Sequence, residues 1–176
     1  MKKHNNDGSG RSRFTAYDIA RIGMMIAVLE VVKRILDSIP NVELVSFFII
    51  IFTIYYGWKT MIAVYAFVGI EFLFWGFGIW SICYLYVWAI LVALIMLARK
   101  KDSYILYCII SGVYGLAFGA LCAITTIFIM GPAGALGWWI AGIPFDLIHG
   151  VSNFLVCLAL FIPVRKVMEV VTRWEQ

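Results

Sequence analysis

Asp146, His149 and Asn153 stand at positions i, i+3 and i+7 of the apolar stretch GWWIAGIPFDLIHGVSNFLVCLALF, residues 137–161. On a helix these spacings put all three on one stripe. A carboxylate, an imidazole and an amide aligned in this way can bind a polar ligand, and they can equally serve as hydrogen-bonding glue between helices. Either use supplies each group with a partner, which matters because an unpaired polar group in apolar surroundings is costly.

More ionisable side chains interrupt other apolar runs: Glu30, Lys33 and Arg34 in VLEVVKRI, Glu43 in NVELVSFF, and Glu71 in VGIEFLFW. Glu30 and Arg34 are spaced i,i+4, so they can neutralise one another on one helix face. Charges at membrane depth cost at least ~2.5–3.5 kcal/mol each on insertion scales, so they face protein or water and mark function.

The rest of the chain must hold these groups in lipid. Of its 176 residues, 64% are hydrophobic, and the mean hydropathy is +0.96. Soluble domains are usually about 45–50% apolar. A membrane helix needs about 20 mostly apolar residues, and six such segments are expected, at 15–36, 42–56, 59–78, 81–98, 103–130 and 138–163. Thr15 is a candidate N-cap, Gly57-Trp58-Lys59 a turn, Gly76 and Gly78 a break, and RKKDS (99–103) a loop. GPAGALG (131–137) separates the last two spans, and Pro144 is either a kink or the first residue of the sixth helix. In the second case Asp146 lies in a first turn, where the positive helix end stabilises an anion.

The expected fold is therefore all-α: a polytopic membrane protein of six transmembrane helices, with N and C termini cytosolic. Residues 1–14 read as a disordered cytosolic arm, 15–164 as the six-helix domain and 165–176 as a cytosolic amphipathic tail on the inner membrane surface. Charge supports this orientation. Of 14 Lys and Arg, all but Lys33 and Arg34 fall on one side, in the arm and first turns (Lys2, Lys3, Arg11, Arg13, Arg21), at Lys59, in Arg99-Lys100-Lys101, and at Arg165, Lys166 and Arg173. The 3–4 and 5–6 loops carry no charge, as expected of outer loops. The net charge of +4 follows from topology and needs no nucleic acid partner.

In that topology Glu30, Glu71 and Asp146 lie toward the outer surface. With Lys33, Arg34, Asn41, Glu43 and His149 they are expected to converge on one outward-facing cavity. The uncharged loops are rich in aromatics (Trp75, Trp80, Tyr84, Tyr86, Trp88, Trp138, Trp139), fitting either an interfacial belt or the rim of that cavity. The candidate ligand-binding residues are Glu71, Trp75, Tyr84, Trp88, Trp138, Asp146, His149 and Asn153.

Two stripes of small residues permit close helix approach: Ala16, Ala20, Gly23 and Ala27 on span 1, and Gly112, Gly115 and Gly119 on span 5. The span 5 stripe is expected to pack internally. Cys83, Cys108, Cys122 and Cys157 lie singly in apolar segments and read as small buried hydrophobes. No P-loop glycine pattern and no HExxH metal spacing is present, so no nucleotide hydrolysis and no metal site are expected of this chain.

The span 1 stripe, the segment PNVELVSFFIIIFTIYYG (40–57) and the ending GIPFDLIHGVSNFLVCLALFIPV (142–164) resemble the substrate-binding S components of energy-coupling factor (ECF) vitamin transporters, over residues 15–170. The resemblance implies a non-enzymatic subunit of the bacterial cell membrane that captures a vitamin-like micronutrient outside, with a corrinoid such as cobalamin as a first guess. It further implies docking by the first helix, through Ala16, Ala20, Gly23 and Ala27, onto a transmembrane coupling protein joined to two cytosolic ATPases, which use the ATP. A stand-alone secondary transporter or channel is the alternative. Fragments of CAAX-type intramembrane protease motifs (Glu30-xxx-Arg34, Phe145-xxx-His149, His149-xxx-Asn153) also occur. Leu29 replaces the first Glu of that pattern, however, and one histidine cannot serve two motifs.

Overall fold

The computed structural model describes residues 14–36 and 38–173. Most of the expected 1–14 arm, and Trp174 in the tail, lie outside the described residues. The described chain is all helical, without strands. Three continuous helical stretches, Val45–Trp75, Ile79–Lys101 and Tyr104–Arg173, are long and apolar enough to cross a membrane, as in a membrane protein. Two of them are broken by positive-φ glycines, Gly57 (φ 59°) and Gly131 (φ 72°). The result is six helices: α1 (Ala16–Ile35), α2 (Val45–Tyr56), α3 (Thr60–Trp75), α4 (Ile79–Ala98), α5 (104–130) and α6 (132–173).

Local chemistry sets these ends. Thr15 caps α1 reciprocally: its hydroxyl accepts the Asp18 N–H at 3.2 Å, and Asp18 Oδ2 accepts the Thr15 N–H at 3.1 Å. A single 3₁₀ turn, Gly57–Lys59, links α2 to α3, and Gly57 allows the reversal because φ there is positive. Gly76 (φ 74°) ends α3, and the Ser81 hydroxyl accepts the Gly78 N–H at 2.9 Å to open α4.

α2 forms the centre of the bundle. It touches α1, α3, α4 and the α5–α6 hairpin, and Val45, Phe47, Ile49, Ile50, Ile51 and Phe52 are all buried. A helix apolar on every side is one surrounded by others. The outward surface is apolar as well, with Leu73, Leu97 and Phe128 at least 80% exposed, a pattern that water does not favour and lipid does.

Cross-helix contacts show that successive helices alternate in direction. Asp18 pairs with Lys59 where α1 and α3 begin, and Arg34 with Glu71 where they end. Glu43 meets His149 before α2 starts, and the Tyr55 hydroxyl donates to the Arg165 carbonyl near its finish. Both described ends therefore lie at the same end of the bundle. That end is tied by Arg165, which donates to both Asp102 oxygens at 3.1 and 3.2 Å.

α5 and α6 pack at close range through the glycine stripe, as the span 5 expectation required. A Cβ on Gly115 would come within 2.8 Å of Gly150 Cα and 2.9 Å of the His149 carbonyl. Gly112 faces Phe154, and Gly119 faces the Asp146 carboxylate. The Ala16, Ala20, Gly23 and Ala27 stripe is exposed on the bundle surface, and nothing lies within 4 Å of where a Gly23 Cβ would sit.

Two expectations need correction. α6 starts directly after Gly131, so 132–137 is helix and Pro144 lies within it. Asp146 is thus deep in α6, away from any positive helix end. Residues 165–173 continue the same helix past Pro163. Finally, Cys83 and Cys122 are joined by a disulfide between α4 and α5, while Cys108 and Cys157 are free and buried as expected.

Because its Cβ would meet rigid backbone, Gly115→Leu should destabilise the protein by at least about 1–3 kcal/mol. Gly23→Leu should be nearly silent. Thermal unfolding in detergent compares the two, and equal losses would refute the close α5–α6 approach.

Candidate functional site

Helices α1, α3, α4 and α6 and the loop between α1 and α2 bring polar side chains to the end of the bundle opposite Asp102 and Arg165. Arg34, in the last turn of α1, donates to Glu71 Oε1 at 2.7 Å and lies 3.5 Å from Glu30 Oε2. Its guanidinium also stacks over Phe74 and Trp75, 4.8 and 5.5 Å from the ring centroids. Glu71 is only 2% exposed, so a charge there needs partners such as this one.

The loop between α1 and α2 forms a second wall. Glu43 Oε2 accepts the Ser46 N–H at 2.8 Å, opening α2, while Oε1 lies 3.4 Å from His149 Nε2. One turn along α6, the Ser152 hydroxyl donates to the Asn41 carbonyl at 2.8 Å. Asn41 adopts a left-handed conformation (φ 60°), which turns the loop toward α6 and which asparagine tolerates well. The His149 ring meets Phe118 of α5 edge-on, with centroids 5.0 Å apart.

Between these walls lies a cavity of about 280 Å³, lined by Lys33, Glu43, Tyr84, Trp88, Phe118, Asp146, His149 and the 36–42 loop. Lys33 and Tyr84 also border a second lobe of about 360 Å³ with Glu71, Trp75 and Trp80. Trp80, Tyr84 and Trp88 continue as an edge-to-face chain, with centroids 5.3 and 5.5 Å apart. Apolar walls with a few convergent polar groups are the usual makeup of a ligand pocket.

Asp146 serves both packing and the cavity. Its Oδ1 accepts the Gly119 N–H at 3.0 Å. Its Oδ2 is buried against Gly119, and the Trp139 indole N–H approaches the same carboxylate as a donor. Trp88 is 4% exposed, and its indole nitrogen is without a hydrogen-bond partner.

Of the sequence-derived ligand residues, Glu71, Trp75, Tyr84, Trp88, Asp146 and His149 line one lobe or the other. Trp138 does not: it is 46% exposed on the first turns of α6. Asn153 does not either. It is buried against Gly115, and its backbone carbonyl accepts from the Ser111 hydroxyl, so the third member of the stripe belongs to helix packing. Sequence reasoning missed Phe67, Phe118 and Ser152. An aromatic or a serine inside an apolar helix carries no signal of which neighbour it will meet.

No protein-family model matches this chain, and neither a curated protein nor a solved structure matches it.

Removing Arg34 leaves the buried Glu71 carboxylate without this ion pair. Arg34→Ala should cost about 1.5–3 kcal/mol, and Glu71→Gln in the same background should recover much of it. Additive losses in thermal unfolding would show that the pair is not coupled.

Proposed function

We propose that this protein is the substrate-binding S component of an ECF-type importer in a bacterial cell membrane. It crosses the bilayer six times with both termini cytosolic. It takes up a vitamin-like micronutrient from outside and docks onto a transmembrane coupling protein whose two ATPases supply the energy. The observation that carries the reading is the two-lobed cavity at one end of the bundle, where ionisable side chains from α1, α3, α6 and the loop before α2 meet an aromatic wall.

Other features support it. The cavity end holds no Lys or Arg other than Lys33 and Arg34 among the described residues, whereas Lys59, Arg99–Lys101 and Arg165 cluster at the opposite end, the pattern of a cytosolic face. The Cys83–Cys122 disulfide lies at the cavity end, beside Tyr84 and Phe118, and disulfides persist in oxidising surroundings. The small-residue ridge on α1 is exposed and unused by internal packing, as a docking helix requires.

Mass spectrometry of small molecules bound to the purified protein should find a ligand. Its affinity should fall at least tenfold in His149→Ala and in Trp88→Phe, which removes only the indole N–H and part of the ring. Unchanged affinity in both would move the ligand elsewhere. Gly23→Trp should bind normally yet lose ATP-coupled uptake and co-purification with ATPases, whereas a solitary transporter would keep its uptake.

A further inference from the structure

Arg99, Lys100 and Lys101 form the 3₁₀ turn between α4 and α5, and all three are exposed. Among the described residues no carboxylate lies within ion-pairing distance of them. The acids of that end are already engaged. Arg165 donates to both Asp102 oxygens and to Glu169, while Asp18 pairs with Lys59 and Arg21. Arg99 reaches back over the α2–α3 turn, its Nη1 2.6 Å from where a Gly57 Cβ would sit. There its guanidinium donates to the Met96 sulfur at 3.3 Å, a weak acceptor. Three cationic side chains thus stand together with their charge uncompensated.

The surface beside them is apolar. Leu97 is 80% exposed, and Leu94, Tyr104 and Ile105 are exposed on the adjoining ends of α4 and α5. Trp58, on the neighbouring α2–α3 turn, is exposed as well, and tryptophan favours the level where headgroups meet acyl chains. Water solvates the cations but not this flank. A molecule with an anionic head and apolar tails satisfies both.

We propose that this turn is a binding site for an anionic phospholipid of the phosphatidylglycerol type. Its phosphate sits against Arg99, Lys100 and Lys101, and its acyl chains run along Leu94, Leu97 and Ile105. A guanidinium offers phosphate two parallel N–H bonds, which an ammonium does not, and basic residues at a membrane surface attract anionic lipid. A zwitterionic headgroup brings its own ammonium and gains less. A soluble anion or an acidic protein surface would meet the charges but leave the apolar flank unmatched. The site ties the α4–α5 turn to one leaflet, and it requires neither the cavity nor its ligand.

The test titrates the full chain in detergent with short-chain phosphatidylglycerol, short-chain phosphatidylcholine, glycerol phosphate and polyglutamate. Native mass spectrometry and thermal unfolding are the readouts. Phosphatidylglycerol should bind at least about tenfold tighter than any of the others, and added salt should narrow the gap. Combining Arg99→Gln, Lys100→Gln and Lys101→Gln should erase the preference. Those charges also help orient the chain in the membrane, so Arg99→Lys, which keeps the charge and loses the planar fork, is the second variant. It should weaken phosphatidylglycerol several-fold and leave phosphatidylcholine unchanged. Phosphatidylcholine binding as tightly as phosphatidylglycerol, or full preference retained in both variants, would overturn the proposal. Glycerol phosphate or polyglutamate matching phosphatidylglycerol would overturn it too, marking the turn as a site for a soluble anion or an acidic protein.

Discussion

Four carboxylates and two basic side chains are held at one end of a bundle whose outer surface suits lipid. This constraint organises the rest of the molecule. Each of those charges would be expelled from an apolar interior unless it met a partner, a hydrogen-bond donor or a cavity. The fold provides all three: Arg34 bridges Glu71 and Glu30, Glu43 takes the Ser46 N–H beside His149, and Asp146 takes the Gly119 N–H.

The supporting architecture is divided by end. At the end away from the cavity, ion pairs and hydrogen bonds tie α1 to α3 and α6 to the α4–α5 turn and α2. In the middle, the apolar α2 fills the bundle, and the glycine stripe of α5 lets α6 approach closely enough to place Asp146 and His149 at the cavity wall. At the cavity end, the disulfide joins α4 to α5 beside Tyr84 and Phe118. A cavity wall assembled from several helices needs such ties, because its polar groups are far apart in sequence.

Much of this was legible before folding was considered. Helix ends were marked by Thr15, Gly57, Gly76 and RKKDS, each acting through local backbone chemistry. Convergence of the buried charges followed from their depth in alternating spans. Other features depended on contacts that sequence does not record. The start of α6 was obscured because Gly131 reverses the chain alone, whereas the neighbouring Pro132 and Pro144 are accommodated inside the helix. The Cys83–Cys122 bond joins residues 39 positions apart that meet only once α4 and α5 are antiparallel. Asn153 shared a stripe with Asp146 and His149, yet one further turn along α6 carries it past the cavity and onto Gly115.

The proposed uptake requires a hollow that opens to the exterior, opposite the basic end of the bundle. Side-specific labelling of intact cells tests it most directly, with one cysteine placed at Ile39, half-exposed at the lip of the cavity, and another at Lys101 in the 4–5 turn. A membrane-impermeant maleimide should modify Ile39→Cys in intact cells and Lys101→Cys only after permeabilisation. Labelling of Lys101→Cys from outside, with Ile39→Cys protected until the membrane is opened, would contradict it.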